Sequence, residues 1–340
     1  MASADIGEAA LGHKREAKPV LIVAGPTASG KSSLAVRLAR EFGGVVINAD
    51  SMQVYRDLPV LTAQPGDADM CAVPHLLYGF LGLDDVCSAE RWATLARREI
   101  DAVHGAAKLP ILCGGTGLYL RALMQGFSPI PDVPAEVRRA ARDLLDKIGS
   151  AALRERLAIG DPVSAARLHA NDRQRIVRAW EVLQATGRPL SHWQTLPPTP
   201  AADLRFLELV LLPERAALYQ ACDQRFLAML RRGALAEVRT VLDRYSGLYR
   251  PDRAPPEGGA KALGFWGLAR HVAESSEISG ETIAAAQQQT RNYAKRQGTW
   301  FRNQMPTGNF ITPERPDMQF SESSYAGISQ KIRNFLLTSG

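Results

Sequence analysis

The feature that most constrains this chain is a phosphate-loop signature. Gly25-Pro26-Thr27-Ala28-Ser29-Gly30-Lys31-Ser32 fits G-x-x-x-x-G-K-[ST] position by position. Before it lies Val20–Ala24, a short β-branched run without alternation that reads as a buried parallel strand. After it comes Lys31–Phe42, where Leu34, Leu38 and Phe42 recur at helical spacing. A strand, a tight loop and a helix are what the motif needs. The glycines let backbone N–H groups turn inward around phosphate oxygens, and the positive end of the helix dipole adds to the attraction. On this reading Gly25–Ser32 cradles a diphosphate, Lys31 brings a mobile charge, and the Ser32 hydroxyl is a candidate Mg²⁺ ligand. Thr27 and Ser29 can donate further hydroxyls. The motif specifies a di- or triphosphate but not which one.

The remaining pattern sets the fold class. Val45–Asn48, Leu76–Leu83 and Pro110–Cys113 are strand candidates, with a helix expected over Ala89–Val103. Strands alternating with helices predict an α/β fold with a parallel, P-loop NTPase-like sheet flanked by helices. From Ala135 to about Gly187 the chain reads as helices, broken at Gly149, Gly160-Asp161-Pro162 and Gly187-Arg188-Pro189. Leu204–Leu212 is strand-like again, so the helical block is expected as an insertion over residues 129–203. The α/β core is then split between 19–128 and 204–310. Residues 1–18 are expected to be disordered, Arg250–Gly259 a loop and 311–340 a polar tail.

Composition narrows the setting. The chain has 340 residues, 46% hydrophobic and 22% charged, enough for two domains and a sizeable core. Its net charge of +6 suits a polyanionic partner without demanding one. The four cysteines are widely spaced, without a C-x-x-C pair, so neither a disulfide framework nor a structural metal is expected. No apolar run approaches a bilayer span. A cytoplasmic monomer is the expectation.

Two companions of the usual nucleotide-hydrolysing loop are missing. Ile111-Leu112-Cys113 runs into Gly114-Gly115-Thr116 instead of ending in a Walker-B Asp, and no N-K-x-D motif is present. The loop can therefore serve the pyrophosphate of something other than ATP.

Beyond the loop, Asp50–Tyr55 (DSMQVY), Gly114–Leu120 (GGTGLYL), Ala170–Arg178 (ANDRQRIVR) and Thr290–Arg302 (TRNYAKRQGTWFR) follow in order. Together with GPTASGKS, these segments resemble tRNA dimethylallyltransferases, the IPP transferase family, from about Pro19 to Gln304. The eukaryotic zinc finger is absent, which points to the bacterial branch. The resemblance implies transfer of a dimethylallyl group from dimethylallyl diphosphate to N6 of the adenine 3′-adjacent to the anticodon. It also implies a helical insertion that grips the anticodon stem-loop of tRNA.

The residues can be read against that chemistry. An exocyclic amine needs a base as its N–C bond forms. Asp50 ends the second predicted strand, on the edge that faces the loop's crevice in an open parallel sheet. Alone, such an Asp reads as a helix cap; with Ser51, Gln53 and Tyr55 in the family's register it reads as the base. Thr116 follows the strand Pro110–Cys113, and the resemblance places it near the target adenine. Lys31 and the loop amides would stabilise the departing diphosphate, joined by Arg225 on the looser match Tyr219–Met229.

For RNA, the resemblance implies contacts through Asp50, Ser51, Met52, Gln53 and Thr116 around the adenine. Further contacts are implied at Arg138, at Gln174, Arg175, Ile176, Val177 and Arg178, and at Arg291, Lys295, Arg296 and Gln297. Gln287–Gln304 carries Arg291, Lys295, Arg296 and Arg302 and no acid, as a phosphate-tracking face would. Three departures from the usual pattern, Gln64, Leu76 and Phe265-Trp266, leave the loop, Asp50 and Thr116 untouched. The alternatives are prenylation of free adenylate, a small-molecule P-loop kinase and a non-catalytic RNA-binding or switch protein.

Overall fold

In the computed structural model, residues 17–198, 200–201, 203–251, 258–313 and 320–338 are described. The expectation for the first sixteen residues, and for most of the Arg250–Gly259 loop, lies outside them. The chain forms two compact units. One combines the N-terminal part to Leu123 with the part from Ala202 onward, and the other is Met124–Ala201.

The first unit is built on a six-stranded sheet. Its strands are β1 (Lys18–Ala24), β2 (Gly44–Asn48), β3 (His75–Leu76), β4 (Leu109–Gly114), β5 (Leu204–Leu211) and β6 (Asn309–Ile311). The order is β3-β2-β4-β1-β5-β6 and every pairing is parallel. The fold is thus α/β, as the alternating pattern predicts. β1 and β2 are buried nearly end to end, which is why they read as apolar runs without alternation.

The helices of this unit are α1 (Lys31–Phe42), α2 (Asp67–Ala72), α3 (Ala89–Gly105) and α4 (Gly117–Gln125). Later in the chain the numbering resumes with α9 (Arg215–Arg231), α10 (Ala234–Arg244), α11 (Phe265–Ala273), α12 (Gly280–Gln304) and α13 (Glu322–Leu337). Helix α1 buries Leu34 and Leu38 on the sheet and stops at Gly43, whose φ of 61° suits a residue without a Cβ. Side chains of α9, α10 and α11 make a second apolar core with Leu58, Leu61 and Leu83.

Two expectations fail here. Leu76–Leu83 is not a strand throughout. After β3 the backbone turns through positive φ at Leu77 and Gly79, and only Leu81 returns to bridge Tyr55. Residues 311–340 are not merely a polar tail. β6 extends the sheet to Ile311, and α13 buries Tyr325, Ile328 and Ile332 against α1 and the sheet. Those three apolar residues recur at helical spacing, but Ser329, Gln330 and Lys331 between them and Arg333 and Asn334 after them dilute the signal.

The second unit contains α5 (Ala135–Gly160), α6 (Pro162–Arg167), α7 (Arg173–Thr186) and α8 (Leu190–Trp193). Its bounds, Met124–Ala201, differ slightly from the expected 129–203. Gly149 interrupts α5 with φ 78°, Asp161 caps α6 through the Ser164 N–H, and Gly187 ends α7 in the left-handed region. The breaks fall where the sequence marks them. Leu153, Leu157, Ile176 and Val182 fill an apolar centre of the unit's own.

Candidate active site

The phosphate loop leaves β1 at Gly25, where φ is 154° and a Cβ would lie 2.6 Å from the Leu211 carbonyl oxygen. Ala28 adopts φ 61° and Gly30, which caps α1, φ 85°. A left-handed alanine costs about 1–2 kcal/mol, and such strain persists where function requires it. Here it folds the loop into a concave turn at a helix N-terminus, an anion-binding geometry. Pro26 is buried, with Thr27 half-buried. The Ser29 hydroxyl is fully buried and has no hydrogen-bond partner, an unmet polar atom inside the cradle. Lys31 is 7% exposed and donates to the Pro26 carbonyl oxygen at 3.2 Å. Burial pushes its ammonium below the usual lysine range, opposed by the Asp50 carboxylate and reinforced by Arg225. Ser32 is exposed and lies near the Cys113 thiol.

Asp50 stands just past β2, 8% exposed. Its backbone is pinned on both sides by Asn48, whose Oδ1 accepts from the Asp50 N–H at 2.8 Å and whose Nδ2 donates to the Asp50 carbonyl at 3.0 Å. The carboxylate accepts from the Met52 N–H at 3.0 Å, which leaves further lone pairs for a ligand. Thr116 begins where β4 ends. Its N–H donates to the Ala49 carbonyl, and its Oγ1 accepts from the Ser51 N–H at 2.9 Å and donates to the Ser51 hydroxyl at 3.2 Å. This closeness depends on Gly114, where a Cβ would fall 2.1 Å from the Ala49 backbone. Tyr293 of α12 lies near Thr116, and its phenol is raised above the usual range by burial and by Asp50.

Asp50, Thr27 of the cradle, Arg225 and Tyr293 line one cavity with Met52, Leu61, Phe226, Met229 and Leu263. One part of the wall is ionic and polar, the other apolar. Arg225 is held below the usual guanidinium range by burial, against the pull of Asp50. Cys222, on the same wall, is pushed up to about 11 by burial. The apolar wall is absent from the sequence reading. Its signal was available, because Cys222, Arg225, Phe226 and Met229 form a single helical stripe on α9.

Several residues expected to touch RNA do something else. Gln53 is buried and donates to the Thr62 and Ala63 carbonyls at 3.1 and 2.7 Å. Gln297 is buried between two loops, accepting from the Thr27 N–H and donating to the Gly115 carbonyl. Arg291 is paired with Asp223 of α9 at 2.6 Å, so the acid missing from Gln287–Gln304 is supplied by a neighbouring helix. Ile176 and Val177 are buried in the helical unit, which leaves no side chain for a ligand. On the surface stand Arg138, Gln174, Arg175, Lys295 and Arg296, with Arg178 half-buried. Arg175 pairs with Asp172 in an exposed setting, and Arg178 pairs with the buried Glu181.

Residues 53–304 match the family model described as IPP transferase. The chain is 52% identical to a tRNA dimethylallyltransferase of Paramagnetospirillum magneticum over 94% of this chain and 98% of that protein. With its counterpart in Rhodospirillum centenum it is 50% identical, over 87% of this chain and 92% of that one. Among solved structures it resembles a eukaryotic dimethylallyltransferase acting on tRNA, with a TM-score of 0.73 and 28% identity, covering 93% of this chain and 80% of the other. It also resembles the full-length tRNA isopentenylpyrophosphate transferase of Bacillus halodurans, with a TM-score of 0.62 and 30% identity over 94% and 96% of the two chains.

Proposed function

This chain belongs to the IPP transferase family, and we propose that it transfers a dimethylallyl group from dimethylallyl diphosphate to N6 of the adenine 3′-adjacent to the anticodon in tRNA. One observation carries the reading: Thr27 of the cradle, the Asp50 carboxylate and Arg225 line the same cavity as the apolar Met52, Leu61, Phe226, Met229 and Leu263. A prenyl diphosphate has that division, a dianionic head and a hydrocarbon tail.

The reaction breaks the bond between the allylic carbon and its diphosphate oxygen and forms a bond from N6 to that carbon. The bonding pair leaves with the diphosphate. Lys31, the loop amides and Arg225 meet the growing negative charge in a site where little water screens them. Asp50 takes the proton that N6 must lose, since the lone pair of an exocyclic amine is delocalised into the ring until that proton departs. Thr116, fixed by Ser51 and Ala49, holds the adenine edge beside it.

Mg²⁺ fits the site only as a shared ion. Ser32 offers one hydroxyl, and the described residues include no group of three or more acids, histidines or cysteines to hold a metal. Ser32 and the diphosphate oxygens would hold it, and it would supply counter-charge to the leaving group.

To reach this cavity the adenine must leave its stack, which costs least in a single-stranded loop. Arg138, Gln174, Arg175 and Arg178 of the helical unit, and Lys295 and Arg296 of α12, are the side chains available for the anticodon stem-loop. The test is to incubate labelled dimethylallyl diphosphate with unmodified tRNA, AMP or ATP in parallel. Label on tRNA supports the reading. Label on AMP without tRNA overturns it in favour of free-adenylate prenylation.

A further inference from the structure

The buried amide of Gln297 links the two halves of the cavity. Its Oε1 accepts from the Thr27 N–H at 2.8 Å, and its Nε2 donates to the Gly115 carbonyl at 2.8 Å. Thr27 belongs to the cradle. Gly115 precedes Thr116, whose hydroxyl and N–H hold Ser51 and Ala49 on either side of Asp50. One side chain thus joins the loop for the donor to the loop that frames the acceptor's base. The fit is tight, because a Cβ on Gly115 would lie 2.2 Å from Nε2 of Gln297. Next along α12, Gly298 passes within 3.8 Å of Pro26 where a Cβ would stand, and a Cβ on Gly117 would meet the Trp300 ring at 2.1 Å. Helix α12 is therefore seated against both loops, with Gln297 as its only hydrogen-bonded tie to the Thr27 amide among the described residues.

We propose that Gln297 is a positioning residue for the transfer: its carboxamide fixes the spacing between the diphosphate cradle and the Thr116–Asp50 wall. The inference rests on the proposed function, because the spacing matters only if donor and acceptor meet in this cavity. Rate depends steeply on such spacing, and a displacement of about 1 Å can cost on the order of 10²-fold. Gln297 touches neither reacting group, so its loss acts on the approach of the two substrates rather than on the binding of either.

A glutamate at this position makes the role readable. As a neutral acid it offers one donor and one acceptor, like the amide; as a carboxylate it sets an oxygen against the Gly115 carbonyl. The surrounding burial and that carbonyl both raise its pKa. The titratable groups lining the cavity are Asp50, Cys222, Arg225 and Tyr293, and Lys31 and Cys113 are electrostatically coupled to them. Burial pushes both cysteines to about 11 and raises Tyr293, so those three do not titrate near neutrality. Division by the parent rate at each pH removes the contribution of the rest.

The experiment compares the parent, Gln297→Met and Gln297→Glu in steady-state and single-turnover transfer to tRNA. Gln297→Met should lower kcat about 10²-fold with KM for both substrates within about threefold of the parent. Gln297→Glu should recover relative to the parent as pH is lowered from about 8 to about 6. A loss confined to KM for tRNA overturns the proposal and makes Gln297 an RNA contact. Variants within about threefold of the parent in kcat also overturn it. Should the Met variant fail to fold, a flat relative pH profile for the Glu variant is sufficient to reject the bridge. Parent enzyme that labels AMP instead of tRNA sinks the proposed acceptor, and the same kcat comparison on AMP still tests the bridge.

Discussion

In the α/β unit, Lys31, Asp50 and Gln297 keep 7%, 8% and 5% of their surface and satisfy one another's neighbours through short, buried hydrogen bonds. In the helical unit, Gln174 and Arg175 stand on the exposed face of α7, and among the described residues Arg175 and Arg178 pair with acids three residues away. The first arrangement suits chemistry. A buried group interacts in a medium that screens poorly, so it stabilises a charge strongly and is costly to leave unpaired. The second suits contact with a long polyanion, where many weak, screened interactions add up. Substitutions should therefore be drastic and local in the cavity, and mild and dependent on salt on α7.

The sharpest attempt to break this contrast is Asp50→Asn. The amide can still accept from the Met52 N–H, so the local turn survives, but it cannot take a proton. Transfer to tRNA should fall on the order of 10³-fold, with diphosphate binding, measured by isothermal titration, close to the parent's. A variant that retains a tenth of the parent rate would remove Asp50 as the base. Arg225→Gln comes next, at about 10²-fold in kcat, because a half-buried cation opposite the leaving group acts mainly as the C–O bond breaks. If the loss appears instead as a weaker tRNA KM, Arg225 is not at the diphosphate.

What the sequence discloses follows the same division. The cradle is legible because its function is written in the backbone: Gly25, Gly30 and Lys31 occupy positions that only a few residue types can fill. Asp50 and Thr116 are legible through strand ends, since β2 and β4 deliver them to one edge. Gln53 and Gln297 are misread because a polar side chain in a sequence does not reveal whether it points to solvent or to a buried carbonyl. For Arg291 the partner Asp223 lies on another helix, so acid-free spacing on α12 overstates the charge left for RNA. The apolar wall from α9 escapes notice because a stripe with one arginine in it looks like any packing face.

Between the two extremes lies Glu41, on α1 directly downstream of the cradle. It accepts from Tyr325 at 2.5 Å, from Arg333 at 2.7 Å and from the Ser329 hydroxyl, which ties α13 to the loop's own helix. Burial tends to raise its pKa, but those hydrogen bonds prevail and hold it below the usual range. A depressed carboxylate pKa stabilises the fold fully above the unfolded value, and the contribution is lost as pH falls through the folded one. Glu41→Gln should thus lower stability by about 1 kcal/mol near neutrality, a modest figure because the pair with Arg333 is partly exposed. The difference in Tm between parent and variant should shrink below about pH 4. A difference that persists unchanged in acid would place the effect in packing rather than charge.

Arg175→Ala probes the other pole and should have the smallest effect. Its guanidinium is exposed and, among the described residues, paired with Asp172 at 3.3 Å, an interaction worth little in water. Removing it should cost no detectable folding stability. If Arg175 meets a phosphate, the affinity for tRNA should drop several-fold at low salt, and the slope of log K against log salt should lessen by about 1. The kcat at saturating tRNA should not change, because no cavity group depends on this side chain. Filter binding across a salt series separates the outcomes. An unchanged slope would take Arg175 off the RNA path, and a fall in kcat would show that the mild and drastic regions are not independent after all.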